Sequence, residues 1–288
     1  MKDAASIRLV FNSVKMGAAI SLNGHVLGNT TNQHLRYTFE VAALLVGGSN
    51  TVVVRFDRSI ETGGRFMGCS GGWDRAPYSR MRDSGGRAEW TRGITGSVYL
   101  AATAANAMAI DALSPSILFN GAPPTAVLKD DGTHSFGVNV TVHLAAKGAA
   151  SGRLEVTGTW PAAATKSVPV KMAAASGGTM AVSVVLEASG VKLWWPRGMG
   201  DNQTMYTVSA RFVSVGAADG SDASSTTKSE RRIGFRTAYL TTGNDTDSAW
   251  VAANAQGNGN ANPANTMMFR INGAPTVTLI VKACTANW

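Results

Sequence analysis

Leu22-Asn23-Gly24-His25-Val26-Leu27-Gly28 sets an Asn-Gly dipeptide between two apolar runs. Asn-Gly takes the positive φ angles of a two-residue turn at little steric cost, so the stretch reads as a β-hairpin. Upstream, residues 7–11 and 18–22 are short strand-like runs. Downstream, residues 37–41 alternate apolar with polar, Leu44-Leu45 precede Gly47-Gly48, and Ser49-Asn50 lead into a β-branched run at 51–56. Gly93-Ile94 then introduce a last strand at 97–101. Residues 1–104 therefore read as one antiparallel β-sandwich.

A connector and strand start at 105–115 open the next part. Strand-like runs recur at 117–119, 135–144, 152–159, 167–172, 179–186, 191–195, 205–215 and 230–240. Turn clusters separate them at 129–132 and 173–178, with 216–227 the most polar. About seven or eight short strands over such a length are the pattern of an immunoglobulin-like sandwich, placed here at 105–240. Lys192-Leu193-Trp194-Trp195-Pro196 is its heaviest aromatic cluster, which suits core or interdomain packing. Residues 241–266 are rich in Asn, Ala and Gly and read as a linker or long loop. Residues 267–272, Gly273-Ala274 and 276–281 give another hairpin pattern before the chain ends at Trp288.

Abundant Gly and frequent Val, Thr and Ser favour strands over helices across all 288 residues. No apolar run reaches the roughly 18 residues of a membrane-spanning helix. The net charge of +8 is spread thinly, mainly as seven Arg between Arg58 and Arg92 interleaved with four acids. Without a basic helix or an aromatic-basic platform, a solvated basic surface accounts for it better than a nucleic-acid partner. Cys69 and Cys284 form no metal motif or disulfide framework, and whether they pair is not readable from their spacing. The four His are scattered, so no metal site and no cofactor is expected. No apolar leader follows Met1, so no secretory signal is expected. Asn29, Asn139, Asn202 and Asn244 each open an Asn-x-Ser/Thr sequon.

Unusual chemistry gathers in Arg65-Phe-Met-Gly-Cys69-Ser-Gly-Gly-Trp73-Asp74-Arg75-Ala-Pro77-Tyr78. Its Gly and Pro content marks a shaped loop. Trp73 beside Asp74 supplies a flat apolar face next to a charged acceptor, which suits a sugar ring and its hydroxyls. A core Trp with an Asp closing a turn is the other use of the pair.

Four passages, in this order, resemble the β-mannosidase branch of glycoside hydrolase family 2. Leu22-Asn23-Gly24, Phe39-Glu40-Val41, Leu44-Leu45 and Gly48-Ser49-Asn50 resemble its amino-terminal, galactose-binding-like jelly-roll sandwich. Arg65, Cys69-Ser70, Trp73-Asp74, Pro77 and Gly93-Ile94 resemble the mannosidase loop, although Arg75 and Thr95 stand where Trp is usual. Leu193-Trp194-Trp195-Pro196 with Gly198, Gly200, Gln203 and Tyr206 resembles a further family segment. Arg232-Ile233-Gly234-Phe235-Arg236 and residues 269–275 resemble the run into the family's (β/α)₈ barrel, of which 241–288 would hold only the first strand, ending at Ala286-Asn287-Trp288.

The resemblance implies an all-β chain of two sandwiches and hydrolysis of terminal β-mannosides. It also implies Trp73, Asp74 and, less directly, Arg65 as substrate contacts completed by the barrel. Retaining hydrolysis needs two carboxyl groups about 5–5.5 Å apart. None of the six Glu (Glu40, Glu61, Glu89, Glu155, Glu187 and Glu230) lies in the family's Asn-Glu context. Glu89 reads as a solvated partner of Arg87 or Arg92. No catalytic residue is therefore expected here, and the chain alone is expected to be inactive and to hold a mannose-containing oligosaccharide weakly. The family is typically lysosomal or secreted. A carbohydrate-binding or interaction module without a barrel, or a degenerate product, are the alternatives.

Overall fold

The computed structural model describes residues 6–15, 17–56, 93–104, 107–173, 177–200, 203–215, 226–242, 246 and 267–276. Among these residues the chain is all β apart from one 3₁₀ turn at Ala42–Leu44, and no helix is long and apolar enough to cross a membrane. The expected β-sandwich class is what the chain forms, and its sheets are open rather than closed.

The first sandwich comprises β1 (Ser6–Phe11), β2 (Val14–Lys15), β3 (Ala18–Leu22), β4 (His25–Thr30), β5 (Tyr37–Glu40), β6 (Val52–Phe56), β7 (Gly93–Ile94) and β8 (Val98–Thr103). They make sheets ordered β5-β1-β8 and β4-β3-β6, with β2 and β7 as a separate pair. Asn23 (φ 49°) and Gly24 (φ 84°) form the turn between β3 and β4, as the Asn-Gly signal requires. The Asn23 side chain ties that turn down by donating to the Leu44 carbonyl at 2.8 Å and accepting the Thr51 N–H at 2.9 Å. Ile7, Leu9, Phe11, Ile20 and Leu22 fill the core between the sheets.

The second sandwich comprises β9 (Ala109–Phe119), β10 (Phe136–Ala146), β11 (Ala150–Gly158), β12 (Lys166–Met172), β13 (Gly178–Ala188), β14 (Tyr206–Ser214) and β15 (Thr226–Ile233). Its sheets run β13-β10-β9 and β12-β11-β14-β15. Along β10, Phe136, Val138, Val140, Val142 and Leu144 are all buried, the period of two expected of a strand with one face on the core. The strand start expected within 105–115 and the run at 117–119 belong to one long β9 that begins at Ala109, in which Pro115 pairs with Val140. Pro is tolerated there because β9 lies at the outside of its sheet. Arg8 of β1 bridges the two sandwiches with a two-pronged ion pair to Asp111 of β9, at 2.8 and 3.2 Å. Arg36 donates to the Asp111 carbonyl.

Two expectations for this region change. The run 230–240 is not one strand: β15 stops at Ile233 and β16 (Ala238–Thr242) starts afresh. Phe235, fully buried, leaves the ladder and enters the core, where its ring lies 5.1 Å from Phe136, 5.3 Å from Tyr206 and 5.4 Å from Trp160. Likewise 191–195 is not a regular strand; it makes isolated bridges from Leu193 to Phe235 and from Trp194 to Gln203.

β16 then pairs with β17 (Met267–Ile271), and β17 with β18 (Ala274–Thr276). The β17–β18 turn sits at Asn272 (φ 49°) and Gly273 (φ 77°), one residue before the expected Gly273-Ala274. Asn272 is completely buried. Its side-chain amide donates to the Trp194 carbonyl at 3.0 Å, and its side-chain oxygen accepts the Thr237 N–H at 2.9 Å. Its backbone N–H donates to the Thr237 carbonyl, and its carbonyl accepts the Leu128 N–H. A Cβ on Gly273 would lie 1.8 Å from the Ala126 carbonyl oxygen, so the turn is pressed directly against that backbone.

Phe235→Ala is expected to lower the unfolding free energy by about 3–5 kcal/mol in a urea titration, through the lost ring and the cavity left behind. Asn272→Ala leaves the Trp194 carbonyl and the Thr237 N–H unpaired, at about 1–3 kcal/mol for each buried group. Hydrogen exchange should show the Thr237 amide losing protection while the amides of β10 keep theirs.

Candidate functional site

The residues expected to touch substrate, Arg65, Trp73 and Asp74, lie outside the described residues, as do Cys69, Arg75, Glu61, Glu89 and Cys284. What is described is the frame from which their segment departs and to which it returns. Phe56, at the end of β6, pairs with Ala18 of β3. Gly93, at the start of β7, pairs with Lys15 of β2. Lys15 and Ala18 are near neighbours in the chain, so both ends of segment 57–92 are anchored close to one another on the first sandwich.

A clasp secures the return. The Asn12 N–H donates to the Ser97 carbonyl at 3.0 Å, and the Thr95 and Gly96 N–H groups both donate to the Ser13 carbonyl at 3.2 Å. The Ser13 and Thr95 hydroxyls are 2.6 Å apart, and the Ser13 hydroxyl also lies 2.8 Å from the Gln33 carbonyl. Gly96 has to be Gly, because a Cβ there would sit 2.7 Å from the Ser13 nitrogen. Thr95 occupies the position where the resemblance calls for Trp, and it contributes a hydroxyl to this clasp rather than an aromatic face.

A second concentration of motif residues surrounds Trp194. The Trp194 N–H donates to the Phe235 carbonyl at 2.7 Å. Gly234 lies against its side chain, where a Cβ would come within 2.8 Å of the Trp194 Cβ and 2.9 Å of the ring. The Arg236 guanidinium stands 4.8 Å from the ring centroid, a cation–π contact worth about 0.5–1 kcal/mol at an exposed site. Trp195 is buried with Gly200 against its face. One Asp130 carboxylate oxygen accepts the Leu193 N–H at 2.7 Å. The neighbouring Asp131 accepts the Thr133 hydroxyl and N–H, which hold its carboxyl below the usual carboxylate range. Core and joint packing, as expected for 192–196, is what this cluster does.

The described carboxylates do not come together as a catalytic pair. Glu40 accepts the Ser6 hydroxyl at 2.6 Å, Glu155 is held by Arg153 and Arg211, and Glu230 pairs with Lys228. Among the described residues no group of three His, Cys, Asp or Glu could hold a metal ion. Sequence reading missed the roles of Asp130 and Asn272. The Asn-Gly dipeptide was a usable signal for Asn272 as a turn residue, whereas nothing local marks Asp130 as the partner of Leu193.

Residues 1–84 match the family model "Glycosyl hydrolase 2 galactose-binding domain-like", and residues 124–236 match "Glycosyl hydrolases family 2". No curated protein matches the chain. The β-D-mannosidase of Dictyoglomus thermophilum is a similar solved structure, with a TM-score of 0.56 and 20% identity over 95% of this chain and 30% of that one. The exo-chitosanase of Amycolatopsis orientalis gives 0.59 and 16% over 96% and 26%. A β-glucuronidase from glycoside hydrolase family 2 gives 0.52 and 15% over 81% and 22%. The chain thus spans between 22% and 30% of the length of these three structures, and at such identities the likeness is one of fold. By the two family models and this shared architecture, residues 1–84 and 124–236 carry the amino-terminal galactose-binding-like and the immunoglobulin-like domains of glycoside hydrolase family 2.

Proposed function

We propose that these domains serve a retaining β-mannosidase-type glycoside hydrolase acting on the terminal β-mannoside of a mannose-containing oligosaccharide. Residues 1–104 and 105–240 are its two sandwich modules, and 241–288 lead toward the catalytic domain. The observation that carries the reading is Arg65…Cys69-Ser70…Trp73-Asp74…Pro77, in the stretch of sequence between β6 and β7. In this reading Trp73 offers its face to the sugar ring, Asp74 accepts hydroxyl hydrogen bonds, and Arg65 donates to ring substituents. Glycosyl transfer through a covalent intermediate needs a nucleophile and an acid/base about 5–5.5 Å apart. In this reading the reacting pair belongs to the catalytic domain, as none of the six Glu of this chain lies in the family's Asn-Glu context. The present chain contributes binding, orientation and a rigid mount.

The purified 288-residue chain should show no turnover of an aryl β-mannoside above the blank. Turnover that disappears in Asp74→Ala would overturn the division of labour. Mannoside binding by the chain, followed by tryptophan fluorescence, should be weak and lost in Trp73→Ala. Binding that is unchanged in that variant would remove the loop from the site.

A further inference from the structure

We propose that Asn29 is the acceptor of an N-linked glycan, and that this glycan shields the edge of β4, which no strand among the described residues pairs. Of the four sequons, Asn202 and Asn244 lie outside the described residues, and the fold separates the other two. Asn29 is exposed near the end of β4, the outer strand of the sheet β4-β3-β6. Thr30 turns inward, is buried, and accepts the Ala18 N–H at 3.1 Å. In extended backbone, residues two apart share a side. With Thr30 facing in, the Asn29 carboxamide and the exposed Thr31 are directed outward together, as a transferase must find them.

Asn139-Val140-Thr141 is extended too, but it is closed off. Asn139 sits in β10 between Ser116 of β9 and Val185 of β13, and its side-chain oxygen is buried without a partner. The Thr141 hydroxyl is engaged with that of Ser183 at 3.1 Å. The central strand of a three-stranded sheet cannot be lifted out for transfer as an outer strand can.

The transfer joins Asn29 Nδ2 to C1 of the reducing-end sugar of an oligosaccharide carried on a lipid pyrophosphate. The C1–O bond breaks, its electron pair leaves with the pyrophosphate, and the displaced Nδ2 proton passes to a base of the transferase. The glycan has a physical use here. β4 carries Val26 at 78% exposure along an edge that no other strand among the described residues pairs, a template for pairing with another strand. A bulky, hydrated group at Asn29 obstructs that approach.

The test uses the full chain with Asn202→Gln and Asn244→Gln, directed through the secretory path of a eukaryotic host and read on the cellular and secreted pools together. Treatment with an amide-cleaving glycosidase should shift its mobility and convert residue 29 to Asp in peptide mass spectra. Asn29→Gln and Thr31→Ala should each abolish the shift, and Asn139→Gln should leave it. A shift that survives both Asn29→Gln and Thr31→Ala, an occupied Asn139, or an unmodified Asn29 overturns the assignment. Removing the glycan from the folded protein should raise light scattering through self-association, and Val26→Lys should reverse the rise. Scattering unchanged by glycan removal overturns the shielding role.

Discussion

The packing of Phe235 is the contact on which the second sandwich and its exit depend. Its ring closes a group formed with Phe136, Trp160 and Tyr206, contributed by different strands and loops of the domain. Burying such a side chain stabilises by about 1.5–3 kcal/mol, and well-placed aromatic neighbours add about 0.5–1.5 kcal/mol. The residue before it obeys the opposite constraint. Gly234 lies where Trp194 leaves no room for a side chain. One position must be empty and the next must be filled, so the chain ends β15, drops into the core and emerges in a new direction. The Trp194–Phe235 backbone bond and the Asn272 bonds to Trp194 and Thr237 are then made in a region already fixed.

The contact between the sandwiches is of another kind. Arg8 and Arg36 converge on Asp111 from the first domain, and Arg8 is only 13% exposed. A half-buried pair of this sort gives up hydration for attraction, and its net worth is modest. Its two-pronged geometry nevertheless fixes direction. Apolar packing thus sets the stability of each sandwich, while charge-assisted hydrogen bonds set how β1 meets β9.

Much of this was legible in the sequence, and for identifiable reasons. The Asn23-Gly24 turn forms where the sequence places it, because left-handed backbone there is a local requirement that the dipeptide satisfies by itself. The second hairpin instead turns at Asn272-Gly273, one residue before the Gly273-Ala274 expected. The burial of β10 follows its alternating side chains, again a local rule. The break at Gly234 was hidden, because Ile233 and Phe235 continue the alternation of a strand and the deciding partner, Trp194, is distant in the chain. Asp130 was hidden for the same reason, since an Asp in a polar turn carries no mark of the N–H it will accept. Trp73 and Asp74 lie outside the described residues, and their reading as a flat face beside an acceptor rests on the sequence alone. The described structure adds the frame that carries their segment, and it shows Thr95 engaged in that frame.

The two ends of that segment, Phe56 and Gly93, pair with Ala18 and Lys15, which are near neighbours along one short stretch. The entropy of closing a chain between two fixed points grows only logarithmically with its length, and doubling the length costs about 0.6 kcal/mol. The two anchors therefore accept a connection of varied length at little closure cost. A frame of this kind can keep its two anchor points while the chain joining them changes in length. That offers a physical route by which one architecture can recur in enzymes described as a mannosidase, a glucuronidase and a chitosanase.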